Sequence, residues 1–204
     1  MPARFGQAER AAITETLVAT GRQLFTTQGL RKTSLDELVK PAGIAKSSFY
    51  AFYDSKESLY LDLMLREAPA LRERLWAILG SDDDTAAKIR RFLRSSIDVL
   101  HHNPLYQRLI THPEELAAVA RRISPAESAK IADLSMLPVT DFIKQAQENG
   151  AIVEGDPAVL LGVMQAALLL PGHRDQFDPA LYEAVVDRTI DVIASGLTAT
   201  ANTI

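Results

Sequence analysis

The sequence predicts an all-α protein of about nine helices, a small N-terminal three-helix domain followed by a larger helical body. Three observations support this. Apolar residues recur at helical spacing, as in Ile13, Leu17, Leu24 and Phe25. No segment alternates apolar and polar residues as a half-buried strand would, and no unit repeats along the chain. Helix starts and stops are marked at short intervals by Ser, Asp, Pro and Gly.

Taken in order, the first helix covers roughly residues 8–28 and stops at Gly29. Ser34-Leu35-Asp36-Glu37 is a capping box, so a second helix starts near Leu35. That helix is short, because Pro41 disfavours the helical conformation at Lys40 and Gly43 can turn the chain at positive φ. A third runs from about Lys46 to Phe52, which makes a helix-turn-helix. Asp54 and Ser55 then cap a long helix over 55–80, kinked or interrupted at Pro69, which connects the two domains. The domains are 1–55 and 56–204.

In the body, a helix over 85–102 is stopped by Asn103-Pro104, and a short one follows through Leu109. Pro113 opens another. Ser124 to Glu127 caps the next, with a kink at Pro138 and an end at Asn149-Gly150. Asp156-Pro157 opens an apolar helix to Leu170, residues 171–179 are a loop, and the last helix covers about 178–196.

Composition narrows the function classes. The chain has 204 residues and no Cys, so disulfides, zinc–thiolate sites and cysteine nucleophiles are excluded. The N-terminus lacks the apolar core of a signal peptide, and the most apolar run, Ala158–Gly172, is too short to span a bilayer. A soluble cytoplasmic protein is expected. There is no nucleotide-binding glycine motif, nucleophile elbow or H-E-x-x-H, so no enzyme is expected. His101, His102 and His112 with Glu114 and Glu115 are the one grouping that suggests a metal. Adjacent histidines on a helix diverge, however, and His102-Asn103-Pro104 reads as a helix end, so no metal or cofactor is expected. Net charge is −4, but residues 1–56 carry eight Lys/Arg against five Asp/Glu. A basic head on an acidic body points that head toward nucleic acid.

Residues 33–56 hold the chemistry for such a partner. Phe49 and Tyr53 stand four apart, so Phe49 faces the core and Lys46, Ser47, Ser48 and Tyr50 face outward. A helix of this kind fits the major groove, where Lys and Ser donate to bases or phosphates, while the Tyr50 hydroxyl is placed for a phosphate and its ring for a thymine methyl. Lys56, in the first turn of the long helix, is placed to attract a phosphate, as are Thr33 and Ser34 at the start of the second helix.

With "LFTTQGLRKTSLDELVKPAGIAKSSFYAFYDSKESLY" in view, residues 8–66 resemble the DNA-binding domain of the TetR family of transcriptional regulators. The resemblance implies DNA contact by Thr33, Lys46, Ser47, Ser48, Tyr50 and Lys56. Ala45 stands where the family often has a Ser cap, Pro41 replaces a common Ala, and Ala51 replaces a larger side chain. These departures bear on operator sequence and affinity. The resemblance further implies a homodimer on palindromic double-stranded DNA, built through the last two long helices, with Leu161, Met164, Leu168, Val185, Thr189 and Ile193 in the interface. It also implies a small apolar or amphipathic effector held in the middle helices, with Trp76, Phe92, His101, Tyr106, Phe142, Met164 and His173 as candidate lining. Effector binding is expected to shift the connecting helix and release the DNA, so that the protein acts as a repressor. The alternative is a helical protein–protein adaptor that binds no specific DNA.

Overall fold

A computed structural model describes residues 5–124 and 138–198. Among the described residues every regular element is helical. The elements are α1 (Gln7–Thr27), α2 (Leu35–Val39), a 3-10 helix (Lys46–Ala51), α3 (Lys56–Leu79), α4 (Thr85–His102), α5 (Pro104–Thr111), α6 (Pro113–Ala120), α7 (138–148), α8 (Pro157–Ala167), a 3-10 turn (Leu170–Gln176) and α9 (Tyr182–Thr198). They form two compact units, one of residues 1–69 and 104–124, the other of 70–103 and 125–204. The first unit therefore takes in more chain than residues 1–55.

In the first unit, α1 buries Ile13, Leu17, Gly21 and Phe25, one residue per turn along a single stripe. Gly21 lets α3 close in, since a Cβ there would lie 2.9 Å from Leu59 Cδ2. Phe25 stacks on Tyr60 of α3 at 5.2 Å, and the Tyr60 hydroxyl donates to the Leu105 carbonyl of α5 at 2.7 Å. The capping box at α2 forms as expected: Glu37 N–H donates to Ser34 Oγ at 3.2 Å, and Ser34 N–H donates to Glu37 Oε2 at 2.8 Å. Gly43 makes the turn at φ +63°.

The third helix differs from the expected α-helix over Lys46–Phe52. It is a 3-10 helix ending at Ala51, and Ala45 before it offers no side-chain cap. A six-residue segment without a cap cannot offset the cost of nucleating an α-helix, whereas 3-10 geometry is the usual form for so short a piece. The long helix α3 starts where Ser55 Oγ accepts from Ser58 N–H at 3.2 Å. It runs through Pro69 without ending. Proline removes one hydrogen bond there, and the division between the units falls at this residue.

In the second unit α4 has the predicted bounds, capped by Asp84, whose carboxylate accepts from Ala87 N–H at 2.9 Å. Its Ile89, Leu93 and Ile97 pack with Tyr182, Val186, Ile190 and Ala194 of α9. Charges border this seam. Arg90 pairs with Asp191 at 3.0 Å, and Arg94 reaches Glu183 and Asp187, each at 3.0 Å. The apolar helix α8 stops at Ala167 rather than Leu170. The expected loop after it includes a 3-10 turn with a non-helical residue at His173. The expected helix start at Ser124–Glu127 falls largely outside the described residues, whereas 138–148 is helical and Gly150 (φ +66°) follows it. No helix among the described residues is long and apolar enough to cross a membrane.

Candidate nucleic-acid interface

The 3-10 helix Lys46–Ala51 is built around Phe49, which is fully buried and anchors the segment from beneath. Burying a side chain of this size contributes roughly 1.5–3 kcal/mol. Tyr53 completes the anchor. Its ring lies 6.0 Å from Phe49, and its hydroxyl donates to Asp62 Oδ2 at 2.7 Å. Burial and the Asp62 carboxylate push the Tyr53 phenol above its ordinary range, so it remains a donor. Arg66 joins Asp62 (2.9 Å) to Glu15 (2.6 Å), tying α3 to α1.

The opposite side of the 3-10 helix faces outward. Tyr50 is 58% exposed, a large figure for an aromatic side chain, and its ring stands edge-on to Phe49 at 5.8 Å. Lys46 and Ser47 are exposed beside it, and Ser48 is half-buried. The Lys46 ammonium pairs with Asp36 at 2.9 Å. Both partners are exposed, so the pair is worth little and a phosphate or guanine can displace it. Ser34 is exposed at the start of α2, but its hydroxyl also donates to Glu37 at 2.7 Å.

Two candidates point inward. Thr33 is 1% exposed, and its hydroxyl donates to the Gly29 carbonyl at 2.8 Å. The Lys56 ammonium donates to the Thr33 and Leu30 carbonyls at 2.6 and 2.7 Å, with a longer approach to Arg31 at 3.4 Å. Both side chains hold the loop between α1 and α2.

Sequence reasoning passed over Arg10. Its Nη2 donates to the Ala51 carbonyl at 2.8 Å, and its guanidinium lies 4.8 Å over the Phe52 ring, which Phe5 also meets at 5.5 Å. Arg10 thus caps the end of the outward-facing helix. Its separation from Ala51 in the chain left no local signal. Exposed Arg31, Lys32 and Lys40 also went unremarked as individual contacts.

In the second unit the expected effector residues do not gather around one cavity. Phe92 and Met164 are core side chains, and Phe142 packs partly buried against that core. His101 Nε2 pairs with the Tyr182 hydroxyl at 2.8 Å, and burial holds this imidazole below its ordinary pKa. Trp76 lies under Arg72, and His173 is exposed, its ring nitrogen on the Leu169 carbonyl. Tyr106 belongs to the first unit. A cleft of about 420 Å³ is lined instead by Arg74, Ala77, Ile78, Arg91, Arg94 and Ser95. Among the described residues no group of three or more His, Asp or Glu is arranged to hold a metal ion.

Of the six residues expected at the dimer interface, Met164 is fully buried within its own chain. Leu161, Leu168, Val185, Thr189 and Ile193 are half-buried, and the Thr189 hydroxyl donates to the Val185 carbonyl at 2.8 Å. The exposed large apolar side chains nearby are Val159, Val163, Leu169, Leu181 and Val192.

Comparison with known proteins agrees with this geometry. Residues 17–63 match the family model for bacterial regulatory proteins of the tetR family. The chain is 38% identical over 69 residues to the HTH-type transcriptional repressor NemR of Escherichia coli, covering 34% of this chain and 35% of NemR. It is 26% identical over 109 residues to the HTH-type transcriptional activator FasR of Mycolicibacterium smegmatis, half of each chain. These curated relatives are therefore matched over a third to a half of their length. The whole fold is similar to that of a TetR-family transcriptional regulator from Pectobacterium atrosepticum, with a TM-score of 0.71 at 22% identity over 95% of this chain and 98% of that one. The buried Phe49, the exposed Tyr50 and the capped α2 all fall within residues 17–63, the stretch that is similar to bacterial regulatory proteins of the tetR family.

Proposed function

We propose that the chain is a homodimeric, ligand-responsive transcriptional repressor that reads a palindromic operator in double-stranded DNA and works in the cytoplasm. The observation that carries this reading is the two-sided 3-10 helix, with Phe49 buried beneath and Tyr50, Lys46 and Ser47 exposed above. A monomer would have little reason to expose a tyrosine to water on a rigid mount. Against DNA, the same ring can meet a thymine methyl while its hydroxyl, Lys46 and Ser47 donate to bases or phosphates. Ser34 and Ser48 are the proposed flanking contacts. Thr33 and Lys56 serve by fixing the loop beside them.

Dimerisation is proposed through α8 and α9, where Val159, Val163, Leu169, Leu181 and Val192 leave apolar surface uncovered. No atom lies within 4 Å of where a Cβ would stand at Gly162 or Gly196, so a second backbone can approach there. The half-buried Leu161, Leu168, Val185, Thr189 and Ile193 border this surface on the same helices. Two copies related by a two-fold axis would present recognition helices about 34–36 Å apart, or a multiple of that, for successive major grooves. The proposed effector site is the cleft at Arg74, Arg91 and Arg94. Apolar Ala77 and Ile78 suit an amphipathic effector whose acidic end meets Arg74, since Arg91 already pairs with Asp83 and Arg94 with Glu183 and Asp187.

The test is a gel shift of the purified chain on the DNA upstream of its own gene, at two salt concentrations. A shift that survives competitor DNA and weakens with salt supports the reading. Absence of binding to that DNA and to a random duplex library would overturn it in favour of a helical adaptor.

A further inference from the structure

Residues 104–124 belong to the first unit, although the chain on both sides of them belongs to the second. Within this insertion, Glu115 of α6 is 1% exposed. A carboxylate is tolerated in such a place only when it is paired and its oxygens are hydrogen-bonded. Arg108 of α5 meets the first need, donating from Nε to Oε2 and from Nη2 to Oε1, each at 3.1 Å. The same two bonds meet the second, one to each oxygen, and the nearby backbone of Leu30 and Arg31 further favours the charged carboxylate.

The loop between α1 and α2 is therefore gripped twice. Glu115 and Arg108 pack against it at Gly29, and Lys56 takes its carbonyls at Leu30 and Thr33. Gly29 makes the close approach possible. It sits at φ +87°, and a Cβ there would run into Arg108 Nη2 and lie 2.7 Å from Glu115 Oε1. Ser34, which caps α2, follows this loop directly, and exposed Arg31 and Lys32 lie on it.

We propose that Glu115, oriented by Arg108, is a positioning residue for DNA reading: it holds the 30–33 loop, and so the start of α2, in the form that binds the operator. This rests on the DNA-binding function proposed above. The consequence is a coupling route specific to this chain. The insertion is joined to the second unit at 103/104 and at 124/125. A change in that unit that draws on either junction pulls on the helices carrying Arg108 and Glu115. Releasing the carboxylate leaves the Arg108 guanidinium without both of its bonds to Glu115, so opening the grip is costly.

The experiment uses the full-length chain, with Glu115→Gln and Glu115→Asp beside wild type. Gln keeps the size and one acceptor oxygen, and Asp keeps the charge but shortens the reach. Three quantities are measured: hydrogen exchange at the Leu30 and Arg31 amides relative to Phe25, affinity for a selected operator, and the salt slope of that affinity. The expected result is folded protein with faster exchange at Leu30 and Arg31 only. Affinity falls about tenfold, the size of a lost charge-assisted bond, and the salt slope is unchanged because no phosphate contact is removed. Wild-type affinity in a folded variant would overturn the proposal. So would a loss of affinity that merely follows a uniform loss of protection, which is the signature of general destabilisation. Failure of wild type itself to bind any duplex would remove the DNA-binding function and this proposal with it. Normal binding by wild type, unaltered in both variants, would remove this proposal alone.

Discussion

Lys56→Met separates two roles for one ammonium group. In the structure that group donates to the Thr33 and Leu30 carbonyls at 2.6 and 2.7 Å. Each hydrogen bond to a charged group contributes roughly 1.5–3 kcal/mol net. Lys56 is half-buried, so water recovers part of the loss and the lower end of that range applies. A lysine in the first turn also opposes the helix dipole, and its removal returns a few tenths of a kcal/mol. Methionine keeps the packing of the stem. The expected destabilisation is therefore about 2–3 kcal/mol, read as a lower urea midpoint at unchanged m-value. The salt slope of operator binding should stay as in wild type. A slope reduced by about one, with stability unchanged, would show that the ammonium neutralises a phosphate and would refute the loop-holding role.

Other substitutions probe the remaining parts. Phe49→Ala removes the fully buried anchor of the outward-facing helix; it should cost about 3–5 kcal/mol in chemical denaturation and abolish DNA binding. Val163→Asp places a charge on the exposed apolar face of α8 and should yield folded monomer by sedimentation, whereas Met164→Ala, inside the subunit, should lower stability by about 2–5 kcal/mol and leave the dimer intact. For pH, burial raises the Glu115 carboxyl, but Arg108 and the nearby Leu30 and Arg31 backbone outweigh it and hold the group below the ordinary glutamate value. A carboxyl lowered on folding stabilises the native state above its unfolded pKa and loses that contribution as pH falls through the folded one. Wild type should therefore lose stability below about pH 4.5 more steeply than Glu115→Gln, measured by urea titration at stepped pH.

Much of the first unit was legible because its signals are local. Ser34 and Glu37 stand three residues apart and cap α2 by that spacing alone, and in the second unit Asn103-Pro104 ends α4 by an equally local signal. The division between Phe49 and Tyr50 was legible for the same reason, since neighbours on a short helix face different ways. What escaped depends on residues distant in sequence. Lys56 at a helix start looks like a phosphate ligand until the loop 23–26 residues earlier folds against it. Arg10 and Ala51 are 41 residues apart, and no pattern links them. Glu115 gave no sign of burial because Arg108 and the Gly29 turn, which make burial tolerable, are joined only by the fold. The candidate pocket failed to gather for a related reason: aromatic and Met side chains are common in cores, and composition does not distinguish a cavity wall from a core.

The most direct measurement is selection of a binding sequence from a random duplex library with the full-length chain, followed by titration of the winner with wild type and Tyr50→Ala. Recovery of an inverted repeat, two chains per duplex, affinity that falls with salt, and weaker, less selective binding by a folded Tyr50→Ala variant is the predicted result. No enriched sequence, or a Tyr50→Ala variant that binds and discriminates like wild type, would contradict DNA reading through this helix.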